Sequence, residues 1–283
     1  MMGMGTSRIR LLKWGGQTAL YLALIVTSIA MLMPFYWMVS TSLKPEADVF
    51  VTPPKWIPNP ITFVHYLEVW TRLPFARFFY NSVFVAAMTT IGDVFFATLA
   101  GYAFAKLKFP GRDQIFFVML LTLMVPFQVN MIPLYKLMDR FKWLDTYWAL
   151  IVPGALSVFG IYLMRQYILS IPDELLDSAR VDGCSEFIIF WRIAAPLSLP
   201  GIATLAIFTF VGSWTSFLWP MIVTSSMEMR TLPVGIALLQ GYHTTNWTQN
   251  MAGSTIAAMP MIAVFLLMQQ QFIEGLTAGA VKQ

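Results

Sequence analysis

Asp173-Glu-Leu-Leu-Asp-Ser-Ala-Arg-Val-Asp-Gly183 is a charged, amphipathic stretch set between long apolar runs. The runs on either side are long enough to cross a bilayer. The stretch between them therefore has to meet water, lipid headgroups or a partner. Pro172 has no N–H to leave unpaired and suits a helix start. Asp173 and Glu174 bring negative charge to the positive end of the helix dipole. Leu175, Leu176 and Ala179 give a small apolar face. Asp177 and Arg180 stand three apart and predict an ion pair. Gly183 predicts a left-handed helix end. Ser185 then opens a second short helix with Phe187, Ile188, Phe190 and Trp191, and Pro196 and Pro200 lead into the next run. The spacing predicts a helix–Gly–helix elbow on the inner membrane surface. A helix lying on lipid is the plain alternative. Its acidic first turn suits an anionic leaflet poorly, and Ser178, Ala179 and Gly183 are small enough for another protein to approach.

Outward from the elbow, the composition is that of a membrane protein. Hydrophobic residues make up 58% of the 283 and charged residues 11%, against about a quarter charged in soluble domains. The net charge of +4 is too small to suggest nucleic acid. Cys184 is the single cysteine, so an internal disulfide is excluded, and with only His65 and His243 beside it a Cys/His metal site is not expected.

The apolar residues fall in blocks near the ~20 residues that a spanning helix needs. Six spans are expected, at Gly16–Val39, Asn81–Ala105, Gln114–Ile132, Tyr147–Leu169, Leu197–Val223 and Asn250–Phe272. Each is apolar all round, as helices in lipid or in a membrane bundle are. Residues 1–15 and 273–283 are expected to be cytoplasmic tails around one permease domain, 16–272, with the elbow loop at about 170–196. The first run is too long for a typical signal peptide and no cleavage pattern follows it, so it reads as a retained span. Pro126 and Pro260 predict kinks. Basic residues are denser in the short turn with Lys106, Lys108 and Arg112, which places that turn and both termini inside. Trp56, Trp70, Trp143, Trp148 and Trp247 lie near expected outer edges. The loop from Ser40 to Tyr80 is Pro-rich and should be extended or turn-rich.

The elbow carries a family resemblance. Asp177-Ser-Ala, three residues, Gly183, nine residues, then Ile193-x-x-Pro196 resembles the cytoplasmic loop signature of ABC importer permeases, Glu-Ala-Ala, three residues, Gly, nine residues, Ile-x-Leu-Pro. Asp177, Ser178 and Ala195 depart from it; charge and small size are kept at the first two. Asn81-Ser82, Tyr102-Ala-Phe-Ala-Lys106, Leu232-Pro-Val-Gly-Ile236 and the tail Gly275 to Lys282 resemble the second permease of maltose-type carbohydrate importers. The resemblance runs from about residue 20 to the C-terminus.

That resemblance implies an all-α membrane protein of the type I ABC importer fold, a multi-pass subunit of the cytoplasmic membrane. Two permeases form the pathway, an ATPase dimer drives it, and an external sugar-binding protein delivers substrate. The elbow becomes a coupling helix in the ATPase cleft, with Glu174, Asp177, Ser178, Ala179, Asp182, Gly183 and Pro196 as coupling residues. The tail residues Gly279, Ala280, Val281 and Lys282 would also reach the ATPases. Leu232, Pro233, Gly235, Tyr242 and His243 in the last outer loop would meet the binding protein. No cofactor is implied in this chain; ATP and Mg would sit on the ATPase. The phosphate-loop pattern Gly-x-x-x-x-Gly-Lys-Ser/Thr does not occur in the sequence.

Polar residues inside spans mark candidate pathway positions: Asp93, Gln128, Asn130, Ser213 and Trp214. A charge mid-span costs about 2.5–3.5 kcal/mol on insertion scales, so Asp93 should face protein or water. It is either a cavity group for sugar hydroxyls or a structural group bonded to a neighbouring helix, and the second is the expectation. Two rival classes are weaker. A secondary transporter would show paired ionisable residues at midplane and repeated halves. A membrane-embedded enzyme would need a His/Glu/Asp cluster, which two distant histidines do not supply.

Overall fold

The computed structural model of the chain describes residues Met4–Gln240 and Asn246–Ala278. The helices in order are α1 (Met4–Ser42), α2 (Val64–Arg72), α3 (Phe75–Lys106), α4 (Arg112–Thr122), α5 (Phe127–Arg140), α6 (Tyr147–Ile151) and α7 (Val158–Leu169). There follow α8 (Asp173–Val181), α9 (Glu186–Ile189), α10 (Ala195–Leu197), α11 (Leu199–Trp214), α12 (Leu218–Val223), α13 (Leu232–Leu238) and α14 (Trp247–Ala278). The chain groups into two compact units: Met1–Val69 with Leu239–Thr255, and Trp70–Leu238 with Ile256–Gln283.

Among the described residues, four helices are long and apolar enough to span a membrane: Leu20–Ser42 of α1, α3, Tyr147–Leu169 and Trp247–Leu267 of α14. Two bent pairs raise the capacity to six. The expected third span, Gln114–Ile132, is not one straight helix. It breaks into α4 and α5, which meet at 99°. Pro126, in an extended conformation (φ −59°, ψ 138°), sits at the N-terminus of α5. It cannot donate to the preceding turn, and it disfavours helical geometry at Val125. The fifth, Leu197–Val223, also departs from a single helix. It starts at a 77° bend between Glu186–Leu197 and α11, and it ends as the separate helix α12. Pro260, by contrast, lies within the continuous α14.

In the first unit, α1 shows its apolar side chains outward: Leu22, Ile25, Ile29 and Leu32 are each more than half exposed, as lipid-facing side chains would be. The Pro-rich loop folds onto the end of α1 through backbone acceptors. Ser40 Oγ donates to Trp56 O at 2.6 Å, and His65 Nε2 to Lys44 O at 2.9 Å. Glu46 caps the start of α14, accepting from the amides of Trp247 and Thr248 at 3.2 Å each. A carboxylate there satisfies orphan donors and complements the helix dipole.

In the second unit, α3 packs along α7 and α11. Small residues allow the close approach. A Cβ on Gly101 would lie 2.8 Å from Met164 Cβ and 2.9 Å from the Arg165 amide. Helices in membranes gain packing contact this way, without a hydrophobic effect to drive them together. The main core joins Ala97, Tyr102, Ile161, Met164 and Leu205 to Leu176, Ala179 and Ile189 of the elbow. The elbow is thus built onto the bundle.

Candidate functional site

The elbow forms as its sequence predicts. Pro172 precedes α8, and Gly183 ends it with φ +81°. The Gly183 amide donates to Arg180 O and the Cys184 amide to Ala179 O, both at 3.0 Å. This pair of bonds closes the last carbonyls and needs a left-handed residue at Gly183. Ser185 starts α9, but its side chain makes no capping bond. From Phe190 to Ala194 the chain winds as a π-helix before α10.

Burial sorts the residues expected to couple into two faces. Leu176 and Ala179 are buried in the chain's own core. Ala179, read from sequence as a site for close approach by a partner, instead faces inward. Glu174, Asp177, Ser178, Asp182, Gly183 and Pro196 are exposed. Glu174, Asp177, Ser178 and Val181 have i, i+3, i+4, i+7 spacing and share one helix face. Val181, which the sequence reading passed over, is 88% exposed. Its apolar side chain stands among carboxylates on that face.

Behind that face, one ion pair and two further hydrogen bonds hold the elbow to the end of α3. Lys106 Nζ donates to Ile171 O and to Asp173 Oδ1, both at 2.6 Å. The Lys106 ammonium holds the Asp173 carboxyl below the usual carboxylate range, first by this hydrogen bond and then by its charge. Tyr102 OH donates to Glu186 Oε2 at 2.6 Å. Arg180 bridges Glu186 Oε1 at 2.8 Å and Asp177 Oδ1 at 2.6 Å, and these bonds raise its already high pKa. The Asp177–Arg180 pair was legible from spacing. Glu186 as a shared acceptor and Lys106 as a clamp were not, although Tyr102 and Lys106 belong to the Tyr102-Ala-Phe-Ala-Lys106 stretch.

A second place of interest is a cavity of about 360 Å³ in the second unit. It is lined from α3 by Ser82, Thr89 and Asp93, from the start of α7 by Ser157 and Phe159, and from α11 by Phe208, Thr209 and Ser213. Asp93 is 1% exposed. Its Oδ1 accepts from the Ser157 amide at 2.7 Å; its Oδ2 accepts from Ser157 Oγ at 3.0 Å and Thr209 Oγ1 at 2.6 Å. The carboxylate therefore joins three helices, as a structural group would. Ser213 lines the cavity. Trp214 does not: it is buried, with Nε1 donating to Ala257 O at 3.0 Å. Gln128 and Asn130 are exposed on α5, away from the cavity lining.

Of the segment expected to be the last outer loop, Leu232 and Gly235 are buried in α13 and Pro233 is half-buried. A Cβ on Gly235 would meet the Phe78 ring. Asn81 Nδ2 donates to Glu228 O and Arg230 O, and Ser82 Oγ accepts from the Leu232 amide at 2.7 Å. Asn81-Ser82 and Leu232-Pro-Val-Gly235 are thus two halves of one fastening. Tyr242, His243 and the tail residues Gly279, Ala280, Val281 and Lys282 lie outside the described residues.

The described residues are helical, hold up to six spans and carry a partly acidic elbow whose outer face is unused by its own fold. A family model described as "Binding-protein-dependent transport system inner membrane component" matches residues 94–275. The chain belongs to that family, as a multi-pass component of the inner membrane. The arabinooligosaccharides transport system permease protein AraQ of Bacillus subtilis is 38% identical over 267 residues, covering 93% of this chain and 95% of its own. The sn-glycerol-3-phosphate transport system permease protein UgpE of Yersinia enterocolitica is 33% identical over 264 residues, covering 90% and 94%. Among solved structures, a bacterial ABC transporter involved in import of the acidic polysaccharide alginate has a chain of the same fold. Its TM-score is 0.79 at 24% identity, covering 96% of this chain and 99% of that one.

Proposed function

We propose that this permease moves a sugar or related polyol across the cytoplasmic membrane by alternating access, as one half of a permease heterodimer. The relatives named for arabinooligosaccharide and sn-glycerol-3-phosphate transport support this substrate class. ATP and Mg act on a separate ATPase pair, and an external binding protein delivers the substrate. Both termini and the elbow face the cytoplasm in this reading. ATP closes the ATPase dimer, the elbows are carried together, and the bundle opens outward.

One observation carries the coupling role: the Glu174–Asp177–Ser178–Val181 face is exposed while the helix behind it is clamped by Lys106 and Tyr102. A rigid lever with a free outer face transmits displacement; a loose loop would absorb it. The test is Val181→Asp combined with Ser178→Trp. Both side chains point outward, so the permease should still insert and fold. Co-purification of the ATPase and ATP-driven uptake should both fall. Wild-type values for both would remove the elbow from the docking surface.

A further inference from the structure

The cavity beside Asp93 carries more hydroxyl chemistry than the fold uses. Thr89 and Thr231 line it, and the Oγ1 of each is buried without a hydrogen-bond partner among the described residues. A buried polar atom left unpaired is unfavourable, so two in one cavity call for an explanation. Rotation about χ1 turns such a hydroxyl to a new partner. Ser213 and Ser216, both half-buried, add two more hydroxyls to the lining. Ser82 Oγ accepts from the Leu232 amide and keeps its own proton to donate.

Four aromatic rings stand in the rest of the lining. Trp219 Nε1 is committed to Ala149 O at 2.9 Å, and its ring meets Phe127 edge-on at 5.9 Å. Phe159 and Phe208 hold the same edge-on relation at 5.9 Å. All four rings line the cavity. Aromatic walls pack against the C–H faces of a sugar ring while hydroxyls bond its oxygens. At about 360 Å³ the space is at the low end for ligand sites, suited to one sugar unit and not to a chain of them.

Charge narrows the ligand further. No Lys, Arg or His lines the cavity among the described residues, and its one ionisable lining side chain is Asp93. An anionic ligand would enter a largely apolar space with no cation to compensate it, which is unfavourable.

We propose that this cavity is a subsite for one neutral sugar unit, held by the hydroxyls of Thr89 and Thr231 against Trp219 and the Phe rings, and that it disfavours phosphorylated and uronic ligands. This rests on the reading of the chain as a sugar or polyol permease. Its substrate class would then differ from the glycerol phosphate and the acidic polysaccharide named for two of its relatives.

The test uses the whole transporter in proteoliposomes with its ATPase and binding protein. The probes are neutral arabino-oligosaccharide, sn-glycerol 3-phosphate and alginate oligosaccharide. Wild type should import the neutral sugar and neither anion. Thr89→Val with Thr231→Val keeps shape and removes both hydroxyls; KM for the neutral sugar should rise at least tenfold. Gly212→Leu adds bulk at a lining position where a Cβ meets nothing within 4 Å; it should raise KM as much. Thr98→Val is the control, because Thr98 Oγ1 is equally buried and unpartnered but lies outside the cavity; its KM should stay at the wild-type value. Neutral-sugar import at wild-type KM by both cavity variants would overturn the subsite and leave the permease reading intact. Import of an anion alone would overturn the charge argument, again without touching that reading. Import of none of the three would sink both.

Discussion

Replacing Lys106 by Met removes the clamp on the elbow with little change in aliphatic volume. Lys106 is nearly buried (5% side-chain exposure) while Asp173 is 72% exposed. Asp173 therefore regains water and loses little. The loss falls on Ile171 O, the other acceptor of the Lys106 ammonium, in a residue only 7% exposed. A buried acceptor deprived of its donor costs about 1–3 kcal/mol. Taking about 2 kcal/mol, local opening of α8 should become roughly 30-fold more frequent, at 1.4 kcal/mol per factor of ten. The loss is local, because the α3–α7–α11 core does not depend on this contact. Hydrogen exchange of the purified permease in nanodiscs reads it directly. Amides from Leu176 to Cys184 should lose about that factor of protection, with those of α11 unchanged. Unchanged protection across the elbow in Lys106→Met would refute the clamp. Loss of protection everywhere would refute its locality.

Three further outcomes are expected. Gly183→Ala puts a Cβ into open space but at φ +81°, so strain and not collision should cost about 1–2 kcal/mol; Gly183→Asn, which tolerates that region better, should lose less elbow protection in the same exchange experiment. Asp145 stands at φ +57° and accepts from the amides of Ser225 and Ser226 at 3.0 Å each. Burial by itself raises its carboxyl, and the bonds from Ser226 and Ser225 more than offset that, so its pKa lies below the ordinary 3.8. A depressed carboxylate stabilises the fold above its unfolded value, and that contribution disappears as pH falls through the folded value. Asp145→Ala should therefore lower the thermal midpoint at pH 7 and shrink the difference from wild type below about pH 4; a gap that persists in acid would discount the ionic contribution. Cys184, the single thiol, is half-buried beside the elbow. A membrane-impermeant maleimide should miss it in intact cells and label it in inside-out vesicles, and rapid labelling from outside would invert the topology.

The apolar runs determined the membrane class and where most spans lie, because a bilayer demands length and hydrophobicity that are visible residue by residue. The elbow was legible for the same local reason: Pro172, Gly183 and the Asp177–Arg180 spacing act within a few residues of one another. The breaks were only half legible. Pro126 announced a kink, but the 99° turn it makes depends on what α4 and α5 pack against. What sequence could not supply were pairings across long separations. Tyr102 and Glu186 are 84 residues apart, and Lys106 and Asp173 are 67 apart. Nothing in either local pattern names the other. The same holds for Ala179, whose small size suited a docking face as well as a core until packing turned it inward, and for Asp93, where only the approach of Ser157 and Thr209 decided that the carboxylate joins helices. Local chemistry sets which helices form; which of their faces remain free is a property of the packed bundle alone.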